Sequence, residues 1–242
     1  MAPDIRKLFD FPLAPRLGRI NAIYGPMFSG KTNKLLLEAR HLSIAQKDYL
    51  VFKPVLDDRV EEACIDSHDG DSHEAIVVQS SHQIVDELLR YFHHSKELPD
   101  AVLLNEVQFF DEGVVEVVAE LSMLGVEVYW AGLDTDWRGV PFHFQPALEG
   151  ATAAKHIGDL LLLPRTVHDR QYAVCKLCGR KNATMTYRTG EGEGLVQVGG
   201  QDTYEARCSR HFYQGMIERG HFKREQDKLT SILGRLREEL DL

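Results

Sequence analysis

Eight residues constrain this chain more than any others. Residues 25–32, GPMFSGKT, have the G-x-x-x-x-G-K-T spacing of a phosphate-binding loop. The apolar run INAIY precedes them, and a helical pattern carrying Leu35, Leu36 and Leu37 follows, so the expected context is strand, loop, helix. Gly25 and Gly30 permit the tight turn, and Pro26, Met27, Phe28 and Ser29 fill it. Successive backbone N–H groups can then point at phosphate oxygens while the new helix presents its positive end. Lys31 would reach the β and γ phosphates of a nucleoside triphosphate, and the Thr32 hydroxyl would hold Mg²⁺. A chance glycine-rich turn explains neither the spacing nor its two flanks.

The apolar pattern beyond the loop predicts a layered α/β fold. A helix over about 32–46 leads to a strand at 49–54, then a polar excursion over 57–75 and a short strand at 76–78. The run SSHQIVDELLRYF predicts a helix opened by a serine cap. AVLL at 101–104, a helix over roughly 112–124 and the apolar run 126–134 complete the alternation, and ATAAKHIGDLLLL predicts a further helix and strand before the character changes at Pro164. Strands alternating with helices of this length imply a mostly parallel sheet covered on both faces. Ligands bind such sheets beyond the carboxyl ends of the strands, where residues 25–32, 57–59, 105–108 and 134–138 all fall. With 242 residues, the chain suits one main domain with an appendage. The expected division is an arm at 1–17, an α/β domain at 18–163, a small domain at 164–213 and a charged helical tail at 214–242.

The small domain carries its own signature. Cys175 and Cys178 form a C-x₂-C pair, and Cys208 and His211 a C-x₂-H pair. Two such turns can close around one tetrahedral Zn²⁺, and a full set of four protein ligands marks a structural metal. Few long apolar runs lie between the pairs, so a metal crosslink has work to do there. Cys64 stands outside the set and reads as an ordinary small hydrophobe rather than a nucleophile, since no helix terminus or basic neighbour is evident to lower its pKa. A net charge of −9 argues against a broad nucleic-acid or anionic-membrane surface. No secretory leader or 18-residue apolar run occurs, and the cytoplasm is the expected compartment.

Three further residues invite chemistry. Glu106 follows a hydrophobic strand, where it could accept the proton of an attacking hydroxyl or water, or simply face solvent. Asp57 and Arg59 could attend a transferring phosphoryl group or lie on a wet turn. A kinase, an ATPase and a nucleotide-binding regulator all remain open from these residues alone.

YGPMFSGKT, KPVLDDR, SHDG, NEVQFF, AGLDTDWRG, CKLC, VQVGGQDTYEARC and CSRH, in this order over about 18–213, resemble the type II thymidine kinases, the cytosolic, zinc-containing kind. The resemblance implies an α/β core of the P-loop NTPase type with a zinc-bearing lasso domain. It implies Mg²⁺-dependent transfer of the γ-phosphoryl of ATP to the 5′-hydroxyl of thymidine or deoxyuridine, a homotetramer, and feedback inhibition by dTTP. Glu106 becomes the catalytic base, Lys31 and Thr32 the phosphate and magnesium residues, and Asp57 and Arg59 attendants of the reacting end. The nucleoside pocket would comprise Met27, Phe109, Leu133, Trp137 and Phe142, closed by Leu195, Gln197, Val198, Gly199 and Tyr204 of the lasso. Three positions depart from the family pattern. Asn105 stands where an aspartate commonly supports magnesium through water, Trp137 where phenylalanine is usual, and His211 where many relatives have a fourth cysteine.

Overall fold

Six parallel strands frame the protein in a computed structural model that describes residues 16–55, 64–66, 72–147, 154–190 and 203–220. In chain order the elements are β1 (Ile20–Tyr24), α1 (Lys31–Ile44), β2 (Tyr49–Pro54), β3 (Cys64–Asp66), β4 (Ser72–Glu74), β5 (Ile76–Val78), α2 (Ser81–Ser95) and β6 (Ala101–Leu104). After a 3-10 turn at Val107–Phe109 come α3 (Val114–Met123), β7 (Glu127–Gly132), α4 (Ile157–Leu161), β8 (Thr166–Arg170), β9 (Met185–Arg188), β10 (Tyr204–Arg207) and α5 (Ser209–Glu218). The main sheet runs β5-β2-β6-β7-β1-β8.

Alternation along these strands builds two apolar layers. Ala22, Phe52, Val102, Leu104, Val128 and Trp130 face α2, α3 and α4 in one core. Ile23, Val51, Leu103 and Ala131 face Leu35 and Ala39 of α1 in the other. Both faces are therefore dry, which is why the central strands read as nearly continuous apolar runs. Truncating a fully buried anchor such as Phe52 to alanine would cost about 3–5 kcal/mol. The Ser80 side chain makes no cap bond at α2. Asp111 fixes the helix start instead, accepting from Ser81 N at 2.7 Å, Ser81 Oγ at 2.6 Å and Gly113 N at 2.9 Å.

Two local features add to the expected pattern. The polar stretch after β2 contains a β3–β4 hairpin, tied down by the Tyr49 hydroxyl on His73 Nε2 at 2.8 Å and by Lys53 Nζ donating to Cys64 O at 2.7 Å. The expected boundary at Pro164 also precedes the end of the main sheet, because β8 pairs in parallel with β1 from Ile20↔Thr166 to Tyr24↔Arg170. The sequence TVHDR is too polar to read as a sheet strand. Its position at the sheet edge, with Val167 and His168 exposed, explains why it tolerates that composition. Beyond it, β9, β10, α5 and the turns at 173–183 form a small module with its own core of Trp137, Met185, Tyr187, Tyr204, Phe212 and Met216. Among the described residues no helix is long and apolar enough to cross a membrane.

Candidate active site

The carboxyl ends of three adjacent strands, β6, β7 and β1, bring the candidate residues together. Register pairs Leu104 with Trp130 and Gly132 with Tyr24, so Asn105 and Glu106, Leu133 and Asp134, and the 25–32 loop all emerge on one edge. The loop is held tightly. Gly25 has φ 152°, and a Cβ there would stand 2.3 Å from Gln171 O, whose own N–H bonds Tyr24 O at 2.7 Å. Gly30 takes a left-handed conformation, φ 80°, as α1 begins.

Lys31 is buried, and its Nζ donates to Pro26 O at 2.7 Å. Burial lowers its pKa, opposed by the nearby carboxylates of Glu106 and Asp134. The ammonium thus sits in a dry place where additional negative charge, such as phosphate, would favour its charged form. Thr32 is half-buried in the first turn of α1.

Glu106 is a non-glycine residue at φ 51°, ψ 46°. Left-handed backbone at such a residue costs of order 1–3 kcal/mol and clusters at functional sites. The turn is over-determined by Gln108, which is 1% exposed and donates Nε2 to Glu106 Oε2 at 2.5 Å while its Oε1 accepts from Leu133 N at 3.0 Å. Only a glycine fits opposite, since a Cβ on Gly132 would meet Gln108 Oε1 at 2.6 Å. Sequence reasoning noticed Gln108 merely as part of a motif. Its task as the strut joining Glu106 to β7 is a tertiary fact.

Among the described residues, two buried oxygens on this edge lack a hydrogen-bond partner, Asn105 Oδ1 and Asp134 Oδ1. The other Asp134 oxygen accepts from Arg170 Nη2 at 2.9 Å. Burial raises the Asp134 pKa, opposed by Arg170, by its own and Thr135 backbone N–H groups and by Lys31. Orphaned buried oxygens suit a hard cation with its water shell, so these donors fit Mg²⁺.

The second centre lies in the small module. Ligand atoms of Cys175, Cys178, Cys208 and His211 all lie within 4.8 Å of one another. His211 Nδ1 is 3.4 Å from Cys175 Sγ and 3.3 Å from Cys208 Sγ. Tetrahedral zinc bonds of about 2.0–2.3 Å give ligand-to-ligand edges of about 3.3–3.8 Å, so three thiols and an imidazole at this spacing fit Zn²⁺. Burial alone would raise the Cys175 pKa, but backbone N–H groups of Cys208, Cys178 and Leu177, with His211, outweigh it and bring the thiol to about 6. Cys175 is accordingly disposed to be a thiolate ligand. Cys64 is half-buried on β3, outside the cluster.

The zinc-type module reaches the loop directly. Met27 N donates to Thr186 Oγ1 at 3.0 Å, and Phe28 packs against both the module core and the cluster of Ala173, Cys175, Ala183, Ala206 and Cys208.

With this geometry in place, comparison with known proteins decides the family. The profile described as thymidine kinase matches residues 18–212. The chain belongs to the thymidine kinase family. It is accordingly an enzyme of thymidine kinase type, a phosphotransferase. A thymidine kinase of Bdellovibrio bacteriovorus is 34% identical over 203 residues, covering 84% of this chain and 89% of its own. One from Pseudothermotoga lettingae is 34% identical over 193 residues, covering 79% and 92%. Among solved structures, the Legionella pneumophila ATPase DotB aligns at 19% identity over 56% of this chain and 37% of its own, with a TM-score of 0.30, too slight to support any inference.

The residues that family resemblance assigns to the nucleoside fall in two apolar clusters. Phe109 and Leu133 pack at the edge of the main core with Phe142, the two phenylalanine rings meeting edge to face at 5.7 Å. Met27, Trp137 and Tyr204 belong to the module core. Trp137, expected as a pocket wall, is 8% exposed and has the Arg188 guanidinium over its ring at 5.5 Å. Asp57, Arg59, Leu195, Gln197, Val198 and Gly199 lie outside the described residues, as do the 1–15 arm and the 221–242 tail.

Proposed function

We propose that the chain transfers the γ-phosphoryl group of ATP to the 5′-hydroxyl of thymidine and deoxyuridine, on a nucleotide site of the P-loop NTPase type. The observation that carries this reading is Glu106. It stands on a left-handed turn beside the loop, oriented by Gln108 and facing the same lysine that the loop delivers. Glu106 takes the 5′-hydroxyl proton as that oxygen forms a bond to the γ-phosphorus. The bond from γ-phosphorus to the bridging oxygen breaks, leaving ADP and the nucleoside 5′-monophosphate. Lys31 and the loop N–H groups offset charge on the phosphates, and Asp57 and Arg59 are assigned to the reacting end. Thr32 and Asn105 would hold Mg²⁺, Asn105 through water, and the ion would supply charge neutralisation at the phosphates.

Met27, Phe109 and Leu133, each only partly buried, offer the apolar contact a flat pyrimidine needs. Zn²⁺ at the Cys₃His set has a structural task. The homotetramer and feedback inhibition by dTTP belong to the same proposal.

A product assay with γ-labelled ATP across deoxynucleosides and ribonucleosides, with a control lacking nucleoside, tests it. Label appearing in a 5′-monophosphate with thymidine or deoxyuridine is the expected result. Release of labelled phosphate without an acceptor would make the chain an ATPase and overturn the reading.

A further inference from the structure

The residues assigned to magnesium so far, Thr32 and Asn105, carry no charge. Protein sites for Mg²⁺ usually supply one or two carboxylates in addition to the phosphates. Glu106 is engaged by Gln108 and has a proton to accept. Among the described residues, Asp134 is a further carboxylate on the same edge.

We propose that Asp134 is the metal-facing carboxylate of this site, acting with the amide oxygen of Asn105 on the hydration shell of the nucleotide-bound cation. The inference rests on the nucleotide reading above and adds a charged residue to it. Three observations carry it. Asp134 follows β7, the strand lying between β6, which delivers Asn105 and Glu106, and β1, which delivers the loop. Asp134 and Asn105 are each 8% exposed, and each leaves Oδ1 unpartnered among the described residues. Buried unpartnered oxygens are uncommon, and two at the ends of adjacent strands mark a place where water or a cation completes the bonding. Lys31, finally, lies within the electrostatic reach of both Asp134 and Glu106, so the carboxylate stands on the loop side of the sheet edge.

Arg170 holds the carboxylate in place. Its guanidinium, at the end of β8, pairs with Asp134 Oδ2 at 2.9 Å and leaves Oδ1 open. The groups facing Asp134 are thus Arg170 on β8, Lys31 on α1 and the backbone N–H groups of Asp134 and Thr135, and Glu106, just after β6, acts on the same lysine. Asp134 is held in place by one cation while keeping an oxygen for another. Its role is positioning through water, whereas Glu106 works on the proton of the acceptor.

The test is calorimetric binding of adenylyl imidodiphosphate to the full-length, zinc-loaded protein, in magnesium-free buffer and with Mg²⁺. The parent should bind more tightly with Mg²⁺. Asp134→Asn keeps the shape and an acceptor for Arg170, and should lose about tenfold or more of that magnesium-dependent gain while its magnesium-free affinity stays near the parent's. The double variant Asp134→Asn with Asn105→Asp returns a carboxylate to the edge and should recover part of the gain. Equal loss with and without Mg²⁺ would make Asp134 a structural partner of Arg170 and overturn the assignment, as would full retention of the gain. Failure of the parent to bind the analogue under either condition would instead bring down the nucleotide site itself. A measurement on the parent covers the case in which the variants do not fold. With Fe²⁺ and ascorbate in place of Mg²⁺, oxidative cleavage should fall near residues 32, 105 and 134, and cleavage that spares 134 contradicts the proposal.

Discussion

The sheet edge and the cysteine module treat polar groups in opposite ways. At the edge, Lys31 is buried against its own desolvation, Asn105 and Asp134 keep unpartnered oxygens, and Glu106 holds a left-handed backbone. In the module, four donors converge on one another within 4.8 Å. The edge stores unmet demand that phosphates and a cation would satisfy, whereas the module is ready to close around one metal. The difference separates a site built to turn over from one built to stay shut.

Removing the module's metal should have the largest effect. Zinc in small modules contributes about 10–16 kcal/mol of folding free energy. Cys208→Ser is expected to abolish bound zinc by elemental analysis and to unfold β9, β10 and α5, seen as rapid amide exchange there while the main sheet stays protected. Because Met27 N bonds Thr186 and Phe28 packs on the cysteine cluster, affinity for an ATP analogue should fall as well. A zinc-free variant with native protection over 173–218 would erase the contrast between the two regions.

A smaller effect is expected at the rim of the loop. Gly25→Ala places a Cβ 2.3 Å from Gln171 O and should destabilise the fold by about 1–3 kcal/mol, read from urea unfolding. No loss of stability would mean that the loop is not clamped against the chain after β8.

The smallest effect belongs to Asn105→Asp. A second carboxylate beside Asp134 should lower the magnesium concentration giving half-maximal rate at saturating ATP and thymidine. Unchanged magnesium dependence with lower activity would assign Asn105 to packing at this edge.

Much of this was legible in the chain. The loop, its flanking strand and helix, and the strands at 49–54, 76–78 and 101–104 all follow from spacing and apolar period, because both sheet faces are dry. The Cys₃His set was legible because a C-x₂-C pair and a C-x₂-H pair, the latter at the start of α5, each supply two ligands. β8 was not, since TVHDR is a polar edge strand whose place is fixed by backbone pairing with β1. Nor was the unmet bonding of Asp134 and Asn105, which depends on burial by elements distant in sequence. Trp137 shows the limit from the other side. An aromatic residue in a motif reads equally well as pocket wall or core, and its packing with Met185, Tyr187 and Phe212 could not be read from the motif.

The most direct test of the account is Glu106→Gln, followed under single-turnover conditions with saturating ATP and thymidine and paired with equilibrium binding of both. Glutamine keeps the shape and can accept from Gln108, but it cannot take the acceptor's proton. The account predicts a chemical step slowed by about 10²- to 10⁴-fold with binding of both substrates largely intact. A chemical step as fast as the parent's would contradict the role of Glu106 as the base.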